Sequence, residues 1–411
     1  MVILDIKILV FSVDPGGMIF YTEKGSIPTR SDWMKKGILV LIFAIIIVTA
    51  AFYVYREAIP VFTENQDDRP VRIGVTGFKE EIDSTLYLQG IQLALEQYHS
   101  SHQGQNKLEI IVMDDQGDIN IGLQVAQKFA HDPSIKAVLG HWDSSIAIPA
   151  SDVYENASLP MLSPVVSNPK LYSSNKKYIF GTIPGDVYIA DIMAQYAKAN
   201  NYQRMAVYYV DNLYGVELSK AFCRSAEKRG IIIIDRHANF VNELETELTI
   251  SKWKTLECQA VFIADGLPDA GAVIHAIKAH GLNIPILGDW GLDLADVIGE
   301  IGADAEKLVY PTLFNPNNPR KQLQNFKRVF VKRFNQEPDL WAVLGYDAMT
   351  LIGHAVDHAP NQSRKDIAAV LRSIQNWHGV SYDLTFNENG ELTNPRIVIK
   401  RVVNGRYLYE R

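Results

Sequence analysis

Residues 138–150 read VLGHWDSSIAIPA. An apolar run closes at Gly140, and the polar step His141-Trp142-Asp143-Ser144-Ser145 follows. A helix-compatible stretch then runs from Ile146 to Ala157. Serines at a strand-to-helix turn have three chemical uses. Given a base, one can attack a carbonyl. Ser144 or Ser145 can cap the helix by accepting from an orphan amide. A hydroxyl and free amides together can also cradle an anion such as a carboxylate. The nucleophile reading lacks support, since no G-x-S-x-G elbow surrounds Ser144 and nothing marks a partner base. A second polar loop, LSPVVSNPKL at 162–171, places Ser167 on a turn set by Pro164 and Pro169. Further on, Tyr214-Gly215 opens a helix after YYVDN and is suited to closing over a ligand.

Other chemistries leave no mark. No G-x-G-x-x-G follows a strand and no G-x-x-x-x-G-K-[ST] occurs, so no nucleotide cofactor is expected. There is no H-E-x-x-H and no spaced His/Cys cluster, so no metal is expected either. The run DDQGD at 114–118 lacks the later Gly and Glu of a calcium loop and reads as a polar turn. With no catalytic constellation, the expected output is binding and not a reaction. A net charge of -7 argues against a nucleic-acid partner, which wants a basic surface. Cys223 and Cys258 form no CxxC pair; one disulfide and two unpaired thiols both remain open.

What must position these loops is an alternation of short apolar strands and amphipathic helices. At 411 residues the chain exceeds one ordinary core, so two lobes are expected. Strand-like runs fall at 71–77, 108–114, 136–140 and 160–164, separated by helical patterns at 86–98, 119–130 and 146–157. A second series follows, with strands at 204–211, 230–235, 259–264 and 284–289 and helices at 190–198, 215–228, 243–256 and 270–280. Such alternation predicts two doubly wound parallel α/β sheets. The last part holds helices at 319–335, 341–358 and 365–374, then strands at 382–386 and 397–409 beside Asn-Gly turns at 389–390 and 404–405. Ligands of open α/β sheets bind at strand carboxyl ends, which selects the loops after 77, 114, 140, 164, 211, 264 and 289.

Before all this lies GILVLIFAIIIVTAAFYVY at 37–55, nineteen residues without a charge. As a helix it spans roughly 28 Å, a bilayer's hydrocarbon thickness. Lys24, Arg30, Lys35 and Lys36 precede it. That bias places residues 1–36 in the cytoplasm and everything after residue 56 outside. The expectation is a membrane anchor followed by a Pro-containing linker at 56–69, the alternative being a cleaved signal read from Met34.

The stretch VLGHWDSSIAIPASDVYENASLPMLSPVVSNPKL resembles the G-H-x-x-S…I-S-P-x-x-T-x-P-x-L signature of the leucine/isoleucine/valine-binding protein family, which are type I periplasmic substrate-binding proteins of ABC transporters. The likeness continues through YIFGTIPGD, YYVDNLYGVEL, PILGDWG, EPDLWAVLGYDAM and LTFNENGEL, covering about residues 70–411. It implies two Rossmann-like lobes joined by a multi-strand hinge, with a ligand in the cleft. Lobe I would comprise 70–186 and 313–380, and lobe II 187–312 and 381–411. By the same resemblance Ser144, Val165 and Ser167 would hold a ligand carboxylate, Tyr214 would contact ligand from lobe II, and an ABC permease would receive it. Three departures stand out. The family's acidic residue after the strand ending ILG aligns with Trp290, beside Asp289; a lobe II aromatic position aligns near Gly266, beside Asp265; and the cysteine of the GHxC step is Asp143. The carboxylate half of an amino-acid site is thus retained. For the ammonium half the sequence offers Asp186 or Asp289. Trp142, Trp290 and Tyr214 could alternatively line an aromatic pocket. The expected role is an extracytoplasmic solute-binding protein, with a membrane-anchored sensing domain as the alternative.

Overall fold

The computed structural model describes residues 70–102, 107–172, 176–293, 296–393 and 396–410, together with Thr49. The expected anchor at 37–55 and linker at 56–69 lie outside these residues, Thr49 excepted. Among the described residues no helix is long and apolar enough to cross a membrane.

The first sheet contains β1 (Val71–Gly77), β2 (Leu108–Asp114), β3 (Ile135–Leu139), β4 (Met161–Ser163) and β5 (Ile179–Gly181) in the order β2-β1-β3-β4-β5. Every pairing in it is parallel. The second contains β6 (Arg204–Tyr209), β7 (Ile232–Ala238), β8 (Ala260–Ala264), β9 (Ile286–Gly288), β10 (Leu308–Thr312), β13 (Val398–Val403) and β14 (Arg406–Glu410), ordered β14-β13-β10-β9-β8-β6-β7. Only β13 runs against the others, pairing antiparallel with β10 and β14, and β11 (Trp377–His378) pairs separately with β12 (Asp383–Leu384). The helices are α1 (Lys79–Asp83), α2 (Tyr87–His102), α3 (Ile119–His131), α4 (Ser144–Asn156), α5 (Asp186–Ala199), α6 (Leu213–Lys228), α7 (Glu243–Thr255), α8 (Asp269–Ala279), α9 (Val297–Ile301), α10 (Lys321–Phe334), α11 (Leu340–His358) and α12 (Arg364–Arg372).

Local chemistry accounts for most boundaries. β8 is apolar throughout and all five residues are buried, as a strand covered on both faces requires. Asp118, Asn212, Asn242, Asp339 and Ser363 each cap a helix by accepting from its first-turn amides. The DDQGD run is therefore a turn that ends in a cap. Asn404-Gly405 turns β13 into β14 with φ of 51° and 66°, the two left-handed residues of a tight hairpin.

Three expectations change. β5 and β10 were not anticipated; β5 is three residues long, and Pro311 interrupts the strand pattern of β10. The strand expected at 382–386 shrinks to Asp383–Leu384. Beyond it Asn387 Oδ1 accepts from the amides of Asn389 and Glu391, which bends the chain and brings Phe386 opposite Leu392. This turn packs on the first sheet, where Gly181 donates to the Gly390 carbonyl. Cys223 and Cys258 are both free thiols.

Helix α11 is apolar nearly all round and buried along most of its length, packed on α2. The two backbones touch through glycine. A Cβ on Gly90 would lie 2.1 Å from the Ala342 carbonyl oxygen, and one on Gly345 would lie 2.3 Å from that of Tyr87. Gly345→Ala should therefore lower stability by roughly 1–3 kcal/mol, the range for overfilling a packed interior, as read by urea unfolding.

Candidate ligand-binding cleft

Both sheets present their strand carboxyl ends to a common space. On the lobe I side, the loop after β3 turns into α4. Asp143 is the cap of that helix, accepting from the Ser145 amide at 2.5 Å. This corrects the expectation that Ser144 or Ser145 does the capping. A carboxylate one residue earlier is the stronger acceptor, and it occupies the family's cysteine position. Ser145 thus serves through its amide. Ser144, the first helical residue, is buried, and its hydroxyl has no partner among the described residues. Behind the loop, His141 is wholly buried, with Nδ1 2.7 Å from Asp115 Oδ2 and Nε2 3.1 Å from the Tyr154 hydroxyl. That chain pins the loop from below.

The loop after β4 forms the adjoining wall. Ser163 Oγ accepts from the Val166 amide, and the Ser167 carbonyl accepts from the Asp186 amide at 2.9 Å. Val165 and Ser167 are buried, and Ser167 Oγ lies near the Asp186 carboxyl without a well-aligned partner. The carboxylate-holding residues expected from sequence are therefore together on one side, with unspent hydroxyls.

Carboxylates gather beside and opposite this wall. Asp186 begins α5, Asp265 follows β8 and Asp289 follows β9; all three are buried. Burial pushes the Asp186 carboxyl up to about 7, although the nearby Ser167 hydroxyl favours its charged form and Glu217 opposes it. Burial likewise carries Asp265 to about 7 despite its bond to the Gly266 amide, with Asp269 adding repulsion. Burial carries Asp289 to about 7 against the Tyr214 hydroxyl and the Gly291 amide, which favour its charged form, with the charges of Asp186 and Asp265 adding to the rise. One of its oxygens accepts from Gly291 at 2.5 Å and starts the short 3-10 turn Trp290–Leu292. Its other oxygen and both Asp186 oxygens have no well-aligned donor. The Tyr214 hydroxyl lies close to Asp289, and burial first, then Asp289 and Asp186, hold its pKa well above the usual phenol value.

An aromatic cluster joins the walls. Trp142 stacks on Trp341 at 5.0 Å and 12°, Trp341 meets Trp290 at 5.8 Å, and Tyr87 sits edge-on to Trp142 at 5.3 Å. All three indole Nε1–H groups are buried without an acceptor. Trp341, at the first turn of α11, was missed at the sequence level. Its signal was present in EPDLWAVLGYDAM: an Asp339 cap places a tryptophan at the start of a helix. Glu81 was missed too; burial, then Asp143 and Asp115, raise its pKa. Across the mouth Lys170 Nζ lies 3.2 Å from Glu217 Oε1 on α6. Among the described residues no cluster of His, Cys, Asp or Glu could hold a metal.

Two α/β lobes whose carboxyl ends enclose buried, unspent polar groups define a solute-binding protein of the two-lobed periplasmic type. Residues 71–406 match the sequence profile of the periplasmic binding protein family, and the chain belongs to that family. Among curated relatives, it is 26% identical over 311 residues to the leucine-, isoleucine-, valine-, threonine- and alanine-binding protein of Pseudomonas aeruginosa, spanning 74% of this chain and 82% of that one. Among solved structures, an ABC transporter substrate-binding protein from Desulfitobacterium hafniense in complex with Leu superposes with a TM-score of 0.75 at 31% identity, over 83% of this chain and all (100%) of that one. A leucine-binding protein from Thermotoga maritima superposes with a TM-score of 0.73 at 21% identity, over 83% of this chain and 98% of that one, and shares the fold.

The acidic wall has a consequence for stability. Asp186, Asp265 and Asp289 titrate near 7 when folded and near 3.8 when unfolded. Their raised values contribute stability that is fully present below about pH 4 and is lost as pH rises through about 7. Without ligand, Asp289→Asn should raise the melting temperature over wild type most at about pH 8, by a smaller margin at about pH 5, and little at about pH 4, as followed by circular dichroism.

Proposed function

We propose that this protein is an extracytoplasmic solute-binding protein. It captures a small carboxylate-bearing ligand, an amino acid, in the interlobe cleft and delivers it to an ABC permease. The single observation that carries this reading is the set of buried polar groups without well-aligned partners at the cleft: the Ser167 hydroxyl and three indole N–H groups as donors, and the carboxylates of Asp186 and Asp289 as acceptors. A ligand with a carboxylate at one end and an ammonium group at the other satisfies both. The ligands of the relatives, leucine among them, support it, and binding rather than chemistry is the output.

In this reading Ser144 and Ser167, with the backbone at Val165, hold the carboxylate. Asp186 and Asp289 receive the ammonium group, and Tyr214 closes from lobe II. Asp265 lies on the same wall, while Trp142 and Trp290 enclose the ligand's body. Lobe I comprises 70–186 and 313 to about 393, because the 386–392 turn packs on β5; lobe II comprises 187–312 and the β13–β14 hairpin. The lobes close by hinge motion, as two-domain binders do. The chain is held at the membrane by residues 37–55, with 56–69 as tether.

Calorimetric titration with the twenty amino acids tests the reading. At least one should bind in the micromolar range or tighter. Ser144→Ala and Ser167→Ala should each weaken it roughly ten- to a hundredfold, the worth of a hydrogen bond to a charged group. Saturation with that ligand should raise the melting temperature by mass action. If no amino acid binds, the reading fails.

A further inference from the structure

We infer that the ligand of this cleft is an amino acid with a basic side chain, carrying two cationic nitrogens against one carboxylate. The inference rests on the solute-binding reading above and narrows it. Its basis is a count of the charges that face the cleft. Lobe II contributes Asp265 and Asp289, with Asp269 near the first; Asp186, where the chain leaves lobe I at the start of α5, adds a third carboxylate with Glu217 near it. Lobe I adds no free carboxylate to this count: Asp143 caps α4, Asp115 is tied to His141, and Glu81 is exposed to solvent.

The cations near the cleft are already committed. His141 is tied to Asp115, Lys170 to Glu217 at the mouth, and Lys400 to Asp293 in the second sheet. None of the three cleft aspartates has a lysine, arginine or histidine partner among the described residues. Asp186 and Asp289 are at least as buried as Ser167, and three of their four side-chain oxygens have no well-aligned donor.

An aliphatic amino acid brings one ammonium and one carboxylate, so it adds no net charge. It would answer one aspartate and leave two more without a counter-charge in a site closed to water. Uncompensated carboxylates in low dielectric either take up protons or repel each other. A second basic nitrogen supplies the missing counter-charge. Asp186, beside Ser167, meets the α-ammonium next to the carboxylate site. Asp289 feels both other aspartates, and it shares the side-chain nitrogen with Asp265. The stacked indoles of Trp142 and Trp341, with Trp290 tilted against the second, stand beside these carboxylates, and a cation is attracted to such an aromatic group. Their N–H groups lack acceptors, and this retains a carboxylate in the ligand. A simple diamine would leave them bare.

The test uses the purified full-length protein at about pH 8, where the aspartates are ionised. Isothermal titration compares L-lysine and L-arginine with L-norleucine, which keeps the length of lysine but lacks its side-chain nitrogen. L-leucine and the diamine cadaverine complete the set. L-lysine or L-arginine should bind at least roughly tenfold more tightly than L-norleucine, and Asp265→Asn should remove most of that margin. Equal or tighter binding of L-norleucine or L-leucine overturns the inference and leaves the solute-binding reading standing. Cadaverine binding as tightly as L-lysine overturns it as well, because the carboxylate is then superfluous. If none of the five binds, the inference falls together with the amino acid reading.

Discussion

Three carboxylates kept from water without a counter-charge are the constraint on which this structure turns. Removing Asp186, Asp265 and Asp289 from solvent opposes their ionisation, and each is displaced upward to about 7 for that reason. A fold tolerates such groups where something else supplies the charge. The same cleft holds a serine hydroxyl and indole donors without well-aligned acceptors. The cleft therefore stores two unmet needs of opposite sign, and a ligand with matched ends meets both.

The rest of the molecule keeps those needs in register. Strand carboxyl ends place Asp265 and Asp289 side by side in the second sheet, since β8 and β9 are neighbours. Helix starts supply the others: Asp186 opens α5 and Ser144 opens α4. The His141–Asp115–Tyr154 chain fixes the loop that carries Trp142. Close passage of α2 and α11 through Gly90 and Gly345 brings Trp341 against it. In the second sheet, Lys400 bonds Asp293, and Thr312 donates to the other Asp293 oxygen; this buried network ties β13 to β10.

Much of the fold was legible because its signals are local. Apolar runs bounded by turns gave β1 and β2 at their observed limits, and caps such as Asn212 and Asn242 stand where short polar residues precede helical patterns. The misses are physical as well. β5 has too few residues to show a period, and β10 carries a proline. In both, pairing with neighbouring strands overrides what the segment says by itself. At the turn into α4 the local rule was right in kind, and Asp143 took the place assigned to a serine because a carboxylate accepts more strongly.

The sequence alone determined the two-lobed α/β class, the loops at strand ends, and the two serines of the carboxylate wall. These depend on periodicity and on short motifs, which survive without a third dimension. Only the tertiary structure decided that Asp186, Asp265 and Asp289, up to 103 positions apart in the chain, face one cleft with no cation among them. It also decided that Trp341 completes a stack begun by Trp142 and reached by Trp290. Burial and the presence of a counter-charge belong to the packed assembly of elements. A lone aspartate after a strand reads as an ordinary polar turn, and only packing shows that it has been stripped of water.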